Sequence, residues 1–267
     1  MSKQMKSGVI YRGPSMIDGQ PIIVVAIAKS GNEKTGDMLQ TFIMLENTHP
    51  VEAIQSGADE SVCGGCLARP KNEGWCYVRV EQSVAGVWKC YHQMQFNITT
   101  GKNKGETSNY KGYAEALTVD EITDMGRGRT NRLGTYGDPA AVPMYVWDAL
   151  NSEAIGWNGY THQWKDCSPD YAKYCMASID KPCDTILAEI MGYRCFVAVL
   201  PGENSGTTNR KSVGCPAAKE NGQKATCVDC LGCGGTDGRG TTNRIIEVHG
   251  VGFKTKRYQA WREKVAA

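Results

Sequence analysis

The clustering of cysteines constrains this chain more than any other feature. Of twelve, four stand at Cys215, Cys227, Cys230 and Cys233 and three at Cys63, Cys66 and Cys76, while Cys90, Cys167, Cys175, Cys183 and Cys195 are dispersed. Disulfides account for such a number in short secreted chains. This chain has 267 residues, and its opening MSKQMKSGVIYRG lacks the apolar run and small-residue cleavage site of a secretory signal. A cytoplasmic protein with reduced thiols is therefore expected, and clustered thiols in that setting are what a metal requires.

The C-terminal group reads Cys215-x11-Cys227-x2-Cys230-x2-Cys233. A CxxC turn aims two thiolates at one ion, and four thiolates complete a tetrahedral zinc site or the corners of an iron–sulfur cluster. The doubled two-residue spacing favours iron–sulfur, with zinc as the alternative. The N-terminal group, Cys63-x2-Cys66-x9-Cys76, offers three ligands. That leaves one position for a reactant, for a fourth ligand such as Cys90 or His92, or for a site joined with the C-terminal group.

Hydrophobic residues make up 41% and charged residues 22% of the chain, which supports a packed core. Apolar runs at 22–28 and 39–45 read as strands, residues 46–79 as loop-rich, and 83–93 as a helix with Val84, Val87, Trp88 and Tyr91 on one face. From residue 131 strands (132–136, 159–164, 174–179, 194–200) alternate with helices (142–150, 184–191), the pattern of βαβ units and a parallel sheet. The expected organisation is an α/β core over 1–200 and a cysteine-rich metal-binding extension over 201–267 packed on it. Its tail, 254–267, reads as a basic amphipathic capping helix. The triplet Thr-Asn-Arg recurs in 128–132, 206–210 and 240–244, and reads as polar turns ahead of strands. No apolar run is long enough for a membrane span. The net charge of +2 lacks the basic excess of most nucleic-acid binders.

Parallel sheets carry their active sites at the carboxyl ends of the strands. The segment GTYGDPAAVP (134–143) lies at such an end. There Gly134 and Gly137 permit close approach of a ligand, and Asp138 either meets an ammonium or hydroxyl group or caps the following turn. His162 and Asp180 also stand at expected strand ends, as candidates for proton transfer. No phosphate-binding Walker loop, dinucleotide fingerprint or nucleophile elbow is present.

This order of elements resembles the radical S-adenosylmethionine superfamily: strand 39–45, the three-cysteine loop, a helix from residue 83, then a strand leading into Gly137-Asp138-Pro139 where that family has a Gly-Gly-Glu-Pro-like motif. The cysteine spacing differs from the family's C-x3-C-x2-C. The resemblance implies a partial (β/α) barrel with a 4Fe-4S cluster on Cys63, Cys66 and Cys76. S-adenosylmethionine would bind the remaining iron, with Asp138 at its amino group, and the C-terminal cysteines would hold an auxiliary cluster. The motif order also resembles phage and mobile-element proteins, which suggests a nucleotide or nucleic-acid substrate. The alternative is a non-enzymatic zinc protein that binds nucleic acid or a protein partner through its basic tail and the loop at 102–104.

Overall fold

The computed structural model describes residues 4–28, 31, 33–203, 206, 208–219, 222–248 and 252–266. Strands β1 (Ser7–Pro14), β2 (Pro21–Ile27) and β3 (Leu39–Leu45) form an antiparallel meander. β3 is buried along its whole length, its polar Gln40 and Thr41 included, as a strand covered on both faces. The loop-rich stretch that follows contains two short helices, α1 (Pro50–Ser56) and α2 (Glu60–Cys63). The His49 side chain accepts from the Val51 amide to start α1, and left-handed Gly57 ends it. The expected helix near 83–93 is present as a π-helical turn, Val80–Val84, running into α3 (Ala85–Tyr91).

An exposed hairpin of β4 (Gln95–Asn97) and β5 (Thr107–Asn109) carries residues 102–104 at its tip, and β6 (Ala114–Glu115) adds to the outer edge of β1. Helix α4 (Val119–Gly126) begins with a capping box between Thr118 and Glu121. β7 (Thr130–Tyr136) then lies parallel to β3. Helix α5 (Met144–Ser152) returns the chain to β8 (Gly156–Asn158), parallel to β7. The six-stranded sheet runs β6-β1-β2-β3-β7-β8.

The strand expected at 159–164 is shorter, spanning two residues, and starts a second sheet. β8 belongs to the first sheet, β9 (Tyr160–Thr161) to the second, and only Gly159 separates them. β10 (Met176–Ile179), α6 (Thr185–Ile190), β11 (Cys195–Val199), β12 (Ser212–Gly214), α7 (Cys227–Cys230), β13 (Asn243–Glu247) and α8 (Gly252–Ala266) complete the chain. The second sheet runs β12-β13-β11-β10-β9, every pair parallel. The α/β class with parallel sheets agrees with the sequence. Residues 201–267 differ from a packed-on extension, because β12 and β13 are strands of the second sheet itself. The first and third Thr-Asn-Arg triplets stand at the starts of β7 and β13, whereas the second, Thr208-Asn209-Arg210, lies outside any strand, with the Asn209 and Arg210 amides donating to the Glu189 carboxylate. Among the described residues no helix is long and apolar enough to cross a membrane.

Candidate metal centre and cavity

Alternate residues of the parallel strands line one cavity of about 380 Å³. β7 contributes Arg132, Gly134 and Tyr136. Asn158, Tyr160 and His162 come from β8, β9 and the residue after β9, and Ser178 and Asp180 from β10 and its end. β11 adds Phe196 and Ala198, and β13 adds Arg244 and Ile246. The sets step mostly by two, as side chains on one face of a strand do, and Thr135, Ile179 and Glu247 line the cavity besides. The cavity therefore has a direction: Arg132, Phe196 and Arg244 lie near strand starts, and Tyr136, His162 and Asp180 at or just past strand ends.

Both cysteine groups line this cavity, all seven residues of them. Cys63 ends α2 and begins a tight loop that returns at Cys76, whose amide donates to the Ala68 carbonyl at 2.9 Å. Buried Arg69 holds that loop from behind. Its Nε and Nη2 bind the Asp59 carboxylate at 3.1 and 2.8 Å, and further N–H groups reach Glu60 and the carbonyls of Gly57 and Gly64. The Gln163 amide clasps the other side, donating to the Cys63 carbonyl and accepting from the Gly65 amide. Burial pushes the Cys63 thiol well up, and the nearby Cys66 and Cys76 push it further. Cys76 is raised by burial as well.

The C-terminal cysteines approach the opposite end. The Cys233 amide donates to Asn158 Oδ1 and its carbonyl accepts from Gly159, with Tyr160 beside its sulfur. The Cys227 and Val228 amides bind the carbonyls of Lys34 and Thr35, so the segment before β3 anchors α7. Burial, with Cys215 and Cys227 beside it, pushes the Cys233 thiol up to about 12. Crowded, buried thiols are disfavoured as thiolates until a cation joins them, and a bound metal ion inverts this by deprotonating its ligands.

Three arginines surround this group. Arg194 is fully buried and donates to the carbonyls of Gly232, Gly235 and Thr242 at 2.6–2.7 Å, fixing the cysteine loop. Arg132 and Arg244 reach the same sulfurs from the cavity side, near Cys233. Among the described residues none of the three forms an ion pair with a carboxylate. Four thiolates around a divalent ion or cluster core carry the net negative charge that such a setting lacks. The donor set therefore fits a metal–thiolate centre. As the side chains stand, no group of three or more His, Cys, Asp or Glu among the described residues is disposed to hold a metal ion.

The other expected site residues converge at the strand ends. His162 Nδ1 lies 3.2 Å from Asp180 Oδ2, and Cys66 lies near the ring. Burial alone would lower the His162 pKa, but Cys66 and Asp180 outweigh it and raise the value well above the ordinary range. Asp138 is buried with both oxygens engaged: Oδ1 accepts from the Ala140 amide at 2.9 Å and Oδ2 from the His162 amide at 2.7 Å. The carboxylate thus caps a 3-10 turn and ties the end of β7 to the end of β9. Gly134 and Gly137 have φ of 66° and 79°, and side chains there would strike Gly137 O and Ile43 respectively. Their identity follows from backbone crowding at this bend. Cys90 and His92 are elsewhere: Cys90 Sγ faces the Gly112 carbonyl, and His92 stacks on Trp88 and bonds the Glu46 carbonyl.

Sequence reasoning missed the cavity arginines, although Arg132 and Arg244 are the third residues of two Thr-Asn-Arg triplets. The repeat was the signal. It also missed Trp75, which lines the cavity and packs against Tyr258 and Trp261 of α8. Tyr258 donates to the carbonyls of Asp180 and Ala198, so the expected capping helix does cover strand ends. No family model, curated protein or solved structure matches this chain.

Proposed function

We infer that this chain is an iron–sulfur enzyme of radical-S-adenosylmethionine type, with its two sheets forming a partial (β/α) barrel. One observation carries the reading: a three-cysteine loop at the strand ends opens onto a strand-lined cavity whose far end holds a second cysteine group. Layers of alternate side chains from consecutive parallel strands are how such barrels fill their interiors.

In this reading Cys63, Cys66 and Cys76 hold the catalytic cluster, and Cys215, Cys227, Cys230 and Cys233 the auxiliary one. The cluster, when bound, supplies the electron that cleaves S-adenosylmethionine for hydrogen-atom abstraction. The protein's own residues position and shield. Arg69 and Gln163 fix the loop, Tyr136 and Trp75 wall off water, and Asp138 sets the His162 backbone. The His162–Asp180 pair holds a proton beside Cys66, available to a bound substrate. A nucleotide is the substrate class in keeping with the phage-like motif order.

The second reading is a zinc protein in which His162 is the fourth ligand of the N-terminal cysteines. A carboxylate on one ring nitrogen, with a cysteine at the ring, is the usual outer-shell setting of a metal-bound imidazole. The two readings separate in one assay. Anaerobically reconstituted, dithionite-reduced protein should release methionine from S-adenosylmethionine, and Cys66→Ser should not. Zinc alone after reconstitution, with no cleavage, would overturn the first reading in favour of the second.

A further inference from the structure

We propose that Arg132 and Arg244 form an anion subsite that takes the phosphate or carboxylate group of an organic substrate; this rests on reading the cavity as the reaction chamber. The two arginines occupy equivalent places. Each follows a fully buried asparagine at the start of a strand, Asn131 as the second residue of β7 and Asn243 as the first of β13. Asn131 Nδ2 donates to the Leu150 carbonyl at 3.0 Å, while Asn243 Nδ2 donates to Glu189 and its Oδ1 accepts from the Cys195 amide. These bonds fix the register, and the alternation of a strand then turns the next side chain into the cavity.

Both guanidinium groups have donors to spare. A guanidinium carries five N–H groups. Arg132 gives one to the Tyr77 hydroxyl and Arg244 one to Thr242 Oγ1, while Arg244 Nε is buried with no partner. Buried donors without acceptors are costly, and a bidentate anion is what the guanidinium fork matches best. Negative charge on the metal-bound thiolates is the competing explanation. Arg194 already serves that loop from behind, whereas Arg132 and Arg244 face the cavity. Beside them Tyr160 and Phe196 pack 4.6 Å apart, with Arg132 5.9 Å from the Tyr160 ring centre, giving an apolar wall next to the charge. The cavity, about 380 Å³, falls in the range of roughly 300–1,000 Å³ typical of small-molecule sites.

Phosphate and carboxylate share this chemistry, and two probes tell them apart. Calorimetric titration of the full, anaerobically reconstituted chain with inorganic phosphate and, in parallel, with succinate should show saturable binding of one of them. Arg132→Gln and Arg244→Gln should each weaken it at least about tenfold, the loss of one charge-assisted hydrogen bond or more. Arg132→Lys and Arg244→Lys, which keep the charge and lose the fork, should fall between, and exposed Arg127→Gln should match the unaltered chain. Binding of neither probe, or equal binding by the Gln variants, would overturn the subsite. So would loss of metal from the Gln variants with anion binding intact, because the arginines would then serve the thiolates. Iron is assayed on the same samples, so anion binding without iron would refute the cluster and leave the subsite standing.

Discussion

Removing the Arg69 guanidinium should unfold the three-cysteine loop before it affects anything else. Arg69 and Asp59 are both buried, and Arg69 holds that carboxylate with two hydrogen bonds while also serving the Gly57 and Gly64 carbonyls. Arg69→Met leaves Asp59 charged, buried and alone. Breaking a buried pair from one side costs about 3–5 kcal/mol. With an unfolding entropy of about 2.1 cal/mol/K per residue, 267 residues give about 0.56 kcal/mol/K, so the melting temperature should drop by about 5–9 °C. Circular dichroism melts of the metal-free chain measure this directly. Adding Asp59→Asn removes the orphaned charge and should restore part of the loss. A single variant melting within about 2 °C of the unaltered chain, or a double variant no more stable than the single one, would refute the reasoning.

Other perturbations test separate parts of the structure. On the proposal that each cysteine group holds its own cluster, Cys230→Ser should remove about half of the bound iron, and unchanged iron would mean the C-terminal group is no ligand set. Asp138→Ala strips acceptors from the Ala140 and His162 amides and should cost about 3 kcal/mol, read in urea unfolding, with Asp138→Asn costing less; equal stability of all three proteins would deny the tether. Thr118→Ala, which breaks the capping box of α4, should cost about 1 kcal/mol at neutral pH. The Thr118 hydroxyl and amide hold the Glu121 carboxyl below its ordinary value. That contribution is complete above the unfolded pKa of about 4.3 and is lost as pH falls through the lower folded value. The difference between variant and unaltered chain should therefore narrow on acidification, and a difference that widens would contradict it.

Several elements were legible because local and tertiary demands agree. β2 is a buried apolar run, β3 ends in the buried apolar residues 42–45, and α5 places Val146, Trp147 and Leu150 on one inner face. β1 was not legible: Gly8 and Gly13 dilute its apolar residues, and pairing with β2 supplies what propensity lacks. The cysteine groups announce themselves by spacing, but their shared cavity does not. It depends on β13 inserting between β11 and β12, a pairing that spans nearly fifty residues of chain. Arg194 sits in the apolar run RCFVAVL, and only the distant carbonyls of the cysteine loop make its burial tolerable. Asp138 was read both as a ligand group and as a cap, and the cap is the contact its carboxylate makes.

The most direct test of the metal assignment is iron and acid-labile sulfide content together with the Mössbauer spectrum of anaerobically purified, iron-57-enriched protein. The result expected is iron and sulfide in nearly equal amounts, with cubane-type signals that diminish but persist in Cys230→Ser. Zinc bound by the cysteines, with neither iron nor sulfide retained after reconstitution, would contradict it.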